Sequence, residues 1–252
     1  MLWQERTELL IGDKGLSQLK KAHVIVVGLG GVGAYAAEQL ARAGVGKLTI
    51  VDGDTIHPSN RNRQLLALKS TEGKAKAELM KKRLLDINPD IEINAIQEYI
   101  KGERLDKIIA QKYDYVVDAI DTLAPKVFLI NQSLKSGNKL ISSMGAGGKT
   151  NPSKVQITDF SKTYNDKLAR YLRKRLHRLG IYDGFKVVFS SEQINPNSSI
   201  PVEGEANKKT TVGTISYMPA IFGIFMASIV IRDLLEITEK ADLLINSVAS
   251  HS

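Results

Sequence analysis

The chain has 252 residues, 43% hydrophobic and 25% charged, enough to bury one sizeable core as a single α/β domain carrying an insertion. It contains no cysteine, which excludes disulfides, thiolate metal sites and a cysteine nucleophile together. The formal net charge of +8 admits an anionic partner, and where that charge sits matters more than its total. Residues 1–15 are charged and lack the apolar run of a signal peptide, so a cytoplasmic location is expected.

Residues 3–22 read as a short helix, a turn at residues 12–15 and a lead-in through Leu16, Leu19 and Lys20. An apolar run at 23–27 then enters Gly28-Leu29-Gly30-Gly31-Val32-Gly33. An Ala-rich helix over 34–43 follows, stopped by Gly44, and a second apolar run ends on Asp52. Strand, glycine turn, helix, strand and acid in this order supply the context that a bare GxGxxG lacks. The glycines allow a tight turn and the approach of a phosphate to the first N–H groups of the helix. Asp52 is placed for a ribose hydroxyl. A purely structural glycine turn is the alternative.

Residues 53–64 form a polar loop dense in donors. The spacing of Ala77, Met80, Leu84 and Ile87 predicts a helix over 73–87, ended by Asn88-Pro89, and 91–96 alternates as a third strand. A short helix over 105–111, an apolar central strand over 113–120, a helix over 126–137 and a strand over 139–143 continue the α/β alternation. Asp121 stands at the carboxyl end of the central strand, the edge where open α/β sheets place ligands. The second glycine-rich loop, 144–154, is a simple connection in its plainer reading.

After a strand at 155–158, residues 160–179 carry Lys162, Lys167, Arg170, Arg173, Lys174, Arg175 and Arg178 against one acid, Asp166. Leu168, Leu172 and Leu176 form the apolar stripe of an amphipathic helix. Solvated helices usually mix signs, so a surface for a phosphate backbone is favoured over a plain exposed helix. Lys167, Arg170, Arg173, Lys174 and Arg178 are the candidate nucleic-acid contacts. A strand at 185–190 and a mobile loop at 191–209 complete a basic insertion, 160–210, within one domain spanning 1–252. The apolar segment 215–235 is interrupted by Pro219, Gly223 and Ser228, and reads as a core or dimer-interface helix rather than a membrane span.

A nicotinamide dehydrogenase is the default owner of a glycine turn followed by an acid, but no residue here announces a hydride-transfer site. Arg63, Lys76 and Asp121 instead place two cations and a carboxylate around the turn. That set suits ATP with magnesium, the cations neutralising the polyphosphate and the carboxylate holding the metal.

The glycine turn, Asp52-Gly53-Asp54, Asn60-Arg61-Asn62-Arg63-Gln64, Gly73 with Lys76, and Asp118-Ala119-Ile120-Asp121 resemble, in order and spacing, the ubiquitin-activating-enzyme-like adenylating domain. Residues 145–176, GAGGKTNPSKVQITDFSKTYNDKLARYLRKRL, resemble its tRNA threonylcarbamoyladenosine dehydratase branch, and extend the likeness over nearly the whole chain. The resemblance implies a Rossmann-like, doubly wound, mainly parallel sheet with helices on both faces. It implies that Gly28, Gly30, Gly31 and Gly33 cradle phosphates, that Asp52 and Asp54 serve the nucleotide's ribose side, and that Asn60, Arg63, Gln64 and Lys76 line the triphosphate. Asp121 would hold Mg2+, and Arg6 would reach into a neighbouring subunit's ATP site, making Arg63, Lys76, Asp121 and Arg6 the implied catalytic set.

The implied chemistry is activation of the threonyl carboxylate of the modified adenosine beside the anticodon, as an acyl-adenylate. The carbamoyl group then closes a ring with net loss of water, an intramolecular step that needs little beyond positioning and charge stabilisation. A homodimer, a tRNA substrate and sulfur-relay partner proteins go with the resemblance; a monovalent cation is admitted and no membrane is expected. Carrier-protein activators of this kind hold zinc with paired CxxC motifs, so zinc is excluded here. Three readings stand beside this one: adenylation of the C-terminus of a ubiquitin-like sulfur-carrier protein, an NAD-dependent dehydrogenase, and a noncatalytic RNA-binding module.

Overall fold

Parallel pairing of short apolar runs builds the frame. The computed structural model describes residues 3–100, 102–201 and 210–237. In chain order the elements are α1 (Glu5–Lys21), β1 (His23–Val27), α2 (Gly33–Ala43), β2 (Lys47–Val51), α3 (Lys76–Ile87), β3 (Glu92–Ile96), α4 (Glu103–Ile109) and β4 (Tyr115–Asp118). They continue with α5 (Leu123–Lys135), β5 (Leu140–Ser143), β6 (Val155–Asp159), α6 (Lys167–His177), β7 (Lys186–Ser190), β8 (Ser199–Pro201), β9 (Thr210–Val212) and α7 (Tyr217–Leu234). Seven strands form one sheet in the order β3-β2-β1-β4-β5-β7-β6, in which only β6 runs antiparallel. The expected doubly wound, mainly parallel architecture is therefore present.

Both faces of the sheet are covered, which is why its central strands are apolar at consecutive positions. Val24 and Val26 pack with Leu40, Leu48, Ile50, Met80, Phe222 and Met226 on one side. Ile25 and Val27 pack with Val116, Leu129, Ile130, Leu172, Leu176 and Phe189 on the other. The basic helix α6 thus belongs to a core layer. Its buried stripe is Ala169, Leu172 and Leu176, one step away from the Leu168 spacing, and Leu168 is only half-buried.

Several boundaries differ from the sequence expectation for local reasons. The N-terminal arm is one helix kinked at Gly12, whose φ of 73° interrupts the helical geometry, and Gly15 is helical. The helix expected from residue 73 starts at Lys76, because Gly73 turns at φ 74° and Thr55 and Ala75 form an isolated bridge. Helix α5 starts at Leu123 rather than residue 126, since a proline in the first turn, Pro125, costs no needed N–H. In the 191–209 loop, a 3-10 turn at Pro196–Ser198 leads into β8, which pairs with β9. Residues 202–209 lie outside the described residues, and the mobility expected of the loop falls partly on them.

Helix α7 is long and apolar enough to cross a membrane by length and composition alone. Its Met218, Phe222, Met226 and Val230 are nevertheless fully buried in the core that α2 shares. Gly223 permits this packing: a Cβ there would lie 2.3 Å from the carbonyl oxygen of Val32. Gly223→Ala should therefore destabilise the fold by about 1–3 kcal/mol, because overpacking against backbone outweighs the roughly 1 kcal/mol gained in helix propensity. Denaturant titration checks this, with exposed Lys135→Gln expected to shift stability by no more than about 0.5 kcal/mol.

Candidate active site

The strand order reverses direction at β1 and β4, so a crevice opens beyond their carboxyl ends, and the glycine turn fills it. Gly28 has φ 92°, and a Cβ on it would sit 2.8 Å from the Ala119 carbonyl oxygen. A Cβ on Gly33 would lie 1.8 Å from the Gly28 oxygen, so these two glycines serve close backbone packing. Gly31 faces Pro219 of α7, with a Cβ contact at 3.0 Å, whereas a Cβ on Gly30 would meet only the Gln64 amide, at 3.7 Å. Gly30 is thus the position where the missing side chain leaves room for a ligand. Helix α2 has no side-chain cap at Val32, leaving its positive end to an anion.

Asp52, just past β2, accepts the Leu29 N–H at 2.6 Å and the Asp54 N–H at 2.8 Å. Its carboxylate therefore fastens the β1 turn to the β2 turn. Burial raises its pKa, against the opposing charge of Lys76. The Lys76 ammonium, only 3% of the residue being exposed, pairs with Asp54 at 2.8 Å. The Tyr99 hydroxyl donates to the other oxygen of Asp54, and that bond with burial pushes the phenol up to about 12. Tyr99 was not legible as a site residue; it covers Gly53, where a Cβ would collide with its ring.

The 60–64 segment lies over the turn, the Arg63 carbonyl approaching the Cβ position of Gly31 to 3.4 Å. Arg63 donates to the Ser59 carbonyl at 2.9 Å and to Asn62 Oδ1 at 2.7 Å, while Asn60 Oδ1 accepts the His57 N–H. Gln64 Oε1 is buried without a partner among the described residues, a polar group that a ligand's hydroxyl or water would satisfy.

At the end of β4 the structure adds residues that sequence reasoning missed. Asp118 and Lys126 are both fully buried and pair at 2.8 Å, and the Ser142 hydroxyl donates to the same carboxylate at 2.6 Å. Asp118 also accepts the Ile120 N–H, and Lys126 donates to the Ile120 carbonyl at 2.9 Å. This pair pins the 118–121 turn, leaving Asp121 exposed at the sheet edge. The sequence named Asp118 only within the 118–121 motif and gave Lys126 no role beyond a helix start.

Of the five cations assigned to nucleic acid, Lys167, Arg170, Lys174 and Arg178 are exposed. Arg173 is half-buried: its Nη2 donates to the Thr163 carbonyl at 2.7 Å and also to the Thr163 hydroxyl, and its guanidinium lies 5.7 Å from the Phe160 ring centre. Arg6 is exposed on α1, apart from the groups that gather at the sheet edge.

A model of the ThiF family matches residues 5–250. The chain belongs to the ThiF family. Within that family it is 42% identical over 238 residues to the tRNA threonylcarbamoyladenosine dehydratase of Bacillus subtilis (strain 168), covering 92% of this chain and 94% of that protein. A Haemophilus influenzae protein of the same name is 36% identical over 231 residues, covering 88% of each. Among solved ThiF-like structures, E. coli tRNA N6-threonylcarbamoyladenosine dehydratase in complex with ATP superposes with a TM-score of 0.84 at 34% identity, covering 93% of this chain and 95% of that one.

Two outcomes follow from the geometry. Lys126→Met, which leaves Asp118 buried without its counter-charge, should cost about 3–5 kcal/mol in stability, whereas substituting the exposed Lys174 in the same way should be close to neutral. Asp52→Asn must turn an amide N–H toward one of the two backbone donors, so it should cost about 1–3 kcal/mol and weaken ATP binding. Because burial raises the Asp52 pKa, ATP affinity in the unsubstituted protein should fall on acidification above the ordinary aspartate range. Calorimetric ATP titrations across pH check this, and a fall confined to the ordinary range would contradict it.

Proposed function

We propose that the protein is an ATP-dependent tRNA threonylcarbamoyladenosine dehydratase. The observation that carries this reading is one sheet edge holding Asp52, the Gly28–Gly33 turn, the 60–64 segment and Asp121 side by side, in a ThiF-family chain alike over nearly its full length to proteins of that name. The relative's ATP and AMP complexes support the nucleotide assignment.

In this reading the turn and the positive end of α2 receive the phosphates, Asp52 accepts from the ribose, and Asn60, Arg63, Gln64 and Lys76 line the triphosphate. Lys76 is held by Asp54 beforehand, so it delivers charge without ordering a long side chain at the moment of binding. Among the described residues no cluster of three or more His, Asp or Glu could hold a metal. Mg2+ on a nucleotide needs none, since it takes one or two carboxylates with water and phosphate oxygens, and Asp121 supplies the carboxylate. Bound there, the ion would neutralise polyphosphate charge. The threonyl carboxylate attacks the α-phosphorus and pyrophosphate leaves; the carbamoyl group then attacks the activated carbonyl and AMP leaves. Arg63 stabilises the charge that builds on the phosphate.

The exposed cations of α6 would track tRNA phosphates, in one adenylating domain acting in the cytoplasm. A homodimer fits the exposed apolar side chains of Trp3, just before α1, of Leu9 and Leu10 on α1 and of Ile224 on α7, α1 and α7 touching each other. Arg6, on α1, would then serve the neighbouring subunit's ATP.

Mass spectrometry of nucleosides from threonylcarbamoyl-modified tRNA incubated with protein and ATP should show loss of one water. Arg63→Ala and Asp121→Ala should abolish that loss, and loss without ATP would refute the mechanism. Changing Arg170, Lys174 and Arg178 together to glutamine should weaken tRNA binding and flatten its salt dependence by up to about three units of slope. An unchanged slope would remove tRNA from α6. Leu9→Asp with Leu10→Asp should shift sedimentation from dimer to monomer if α1 forms the interface.

A further inference from the structure

A cleft of about 600 Å3 opens between the start of α6 and the segments that follow β7 and β9, and nothing in the nucleotide site uses it. Its walls combine three cations, Lys167, Arg170 and Arg173, with a half-exposed tyrosine, Tyr164, the amide of Gln193 and the apolar Ile194 and Val212. Cations beside an aromatic ring and apolar surface suit an anionic ligand carrying a planar base. The volume suits a single nucleoside.

The cleft's position is as informative as its lining. Strands β2, β1, β4, β5 and β7 are parallel, so all present their carboxyl ends at one edge. Along that edge come the ribose acid after β2, the phosphate turn after β1, the Asp121 turn after β4, and then the cleft beside β5 and β7. At about 4.8 Å per strand, three steps separate β1 from β7, roughly 14 Å. Helix α6 packs on the face of the sheet opposite to α2, so a ligand in the cleft would have to extend over the carboxyl ends of β5 and β4 for its carboxylate to meet the nucleotide.

The cleft is also rigidly built. Lys149, almost fully buried, donates to the Asn165 carbonyl at 3.3 Å, the Ser190 carbonyl at 3.2 Å and the Glu192 carbonyl, tying the turn before α6 to the end of β7. Asp166 accepts the Gly145 N–H after β5 at 3.1 Å and the Ala169 N–H at 2.8 Å. Asn165 holds a left-handed φ of 52° and donates to the Ser191 carbonyl at 3.1 Å. Tyr164 therefore stands on a turn fastened to two strands of the sheet, its ring braced edge-on by Phe189 at 5.4 Å. Arg173 Nε is buried without a partner among the described residues, and Arg170 is steadied 5.1 Å from the Tyr171 ring centre.

We propose that this cleft seats the modified nucleoside itself, with its base against Tyr164 and its anionic groups against Arg170 and Arg173, so that the carboxylate faces the nucleotide turn. This rests on the dehydratase reading and names the residues that would choose the modified position, as distinct from Lys174 and Arg178 further along α6. Arg173 acts mainly as a positioning residue, since its Nη2 is already engaged by Thr163.

The test compares affinity for tRNA with and without the threonylcarbamoyl group, at fixed salt and with a non-hydrolysable ATP analogue. The unsubstituted protein should prefer the modified tRNA. Tyr164→Ala should weaken affinity for both tRNAs roughly tenfold or more, because both carry the adenine, while leaving affinity for ATP unchanged, and Tyr164→Phe should restore it. Arg170→Gln should lower both the preference and the salt slope, whereas Lys174→Gln should lower only the slope. A preference retained in Arg170→Gln, or tRNA affinity unchanged in Tyr164→Ala, would overturn the cleft assignment while the dehydratase reading stands. An unsubstituted protein that shows no preference and removes no water from the modified nucleoside would overturn both.

Discussion

The backbone of the β1 turn lies against the backbone of the β4 turn with no room for a side chain between them. Gly28 closes on the Ala119 carbonyl and Gly33 closes on Gly28 and Ala119 together, so α2 begins directly above the junction. The turns on either side are fastened to this contact. Asp52 reaches across to the Leu29 N–H from the β2 side, and the buried Asp118–Lys126 pair fixes the β4 turn from below. The pair is expensive to desolvate and gives no large net stability; what it contributes is one geometry for a turn that would otherwise have several.

The fold was legible because its signals are local and periodic. Consecutive apolar residues at 23–27 and 115–117, a glycine turn and a C-terminal Gly44 specify strand and helix without knowledge of neighbours. The residues assigned to the nucleotide stood out because their motifs lie within a few residues of strand ends. What stayed hidden depends on partners far apart in sequence. Tyr99 meets Asp54 across 45 positions, and Lys149 finds carbonyls 16, 41 and 43 residues away. Neither residue has a neighbour pattern that would mark it. The apolar stripe of α6 held at Leu172 and Leu176, but its first member is Ala169 in place of Leu168, because leucine spacing was weighted over a small side chain that the core takes for fit.

The positive charge of the chain divides into distinct kinds. Lys126 and Lys149 are interior, one neutralised by a carboxylate and the other solvated by main-chain carbonyls in place of water. Lys76 is interior too, but its partner Asp54 is half exposed, so its charge remains available at the site. The cations along α6 face outward over a helix whose opposite side is core. A net charge of +8 therefore describes internal fasteners, one buried lysine held by a half-exposed acid at the sheet edge and a surface, each answering to different chemistry.

Helix α7 rests on the same glycine turn to which the nucleotide is assigned. Pro219 touches the Cβ position of Gly31, and Gly223 lets the helix backbone approach the Val32 carbonyl. The phosphate loop thus has two faces, one toward ligand and one toward a helix whose far side carries exposed apolar groups. A ligand that ordered the loop and a partner that covered α7 would therefore be linked: whatever factor one added to the affinity of the other, it would receive in return.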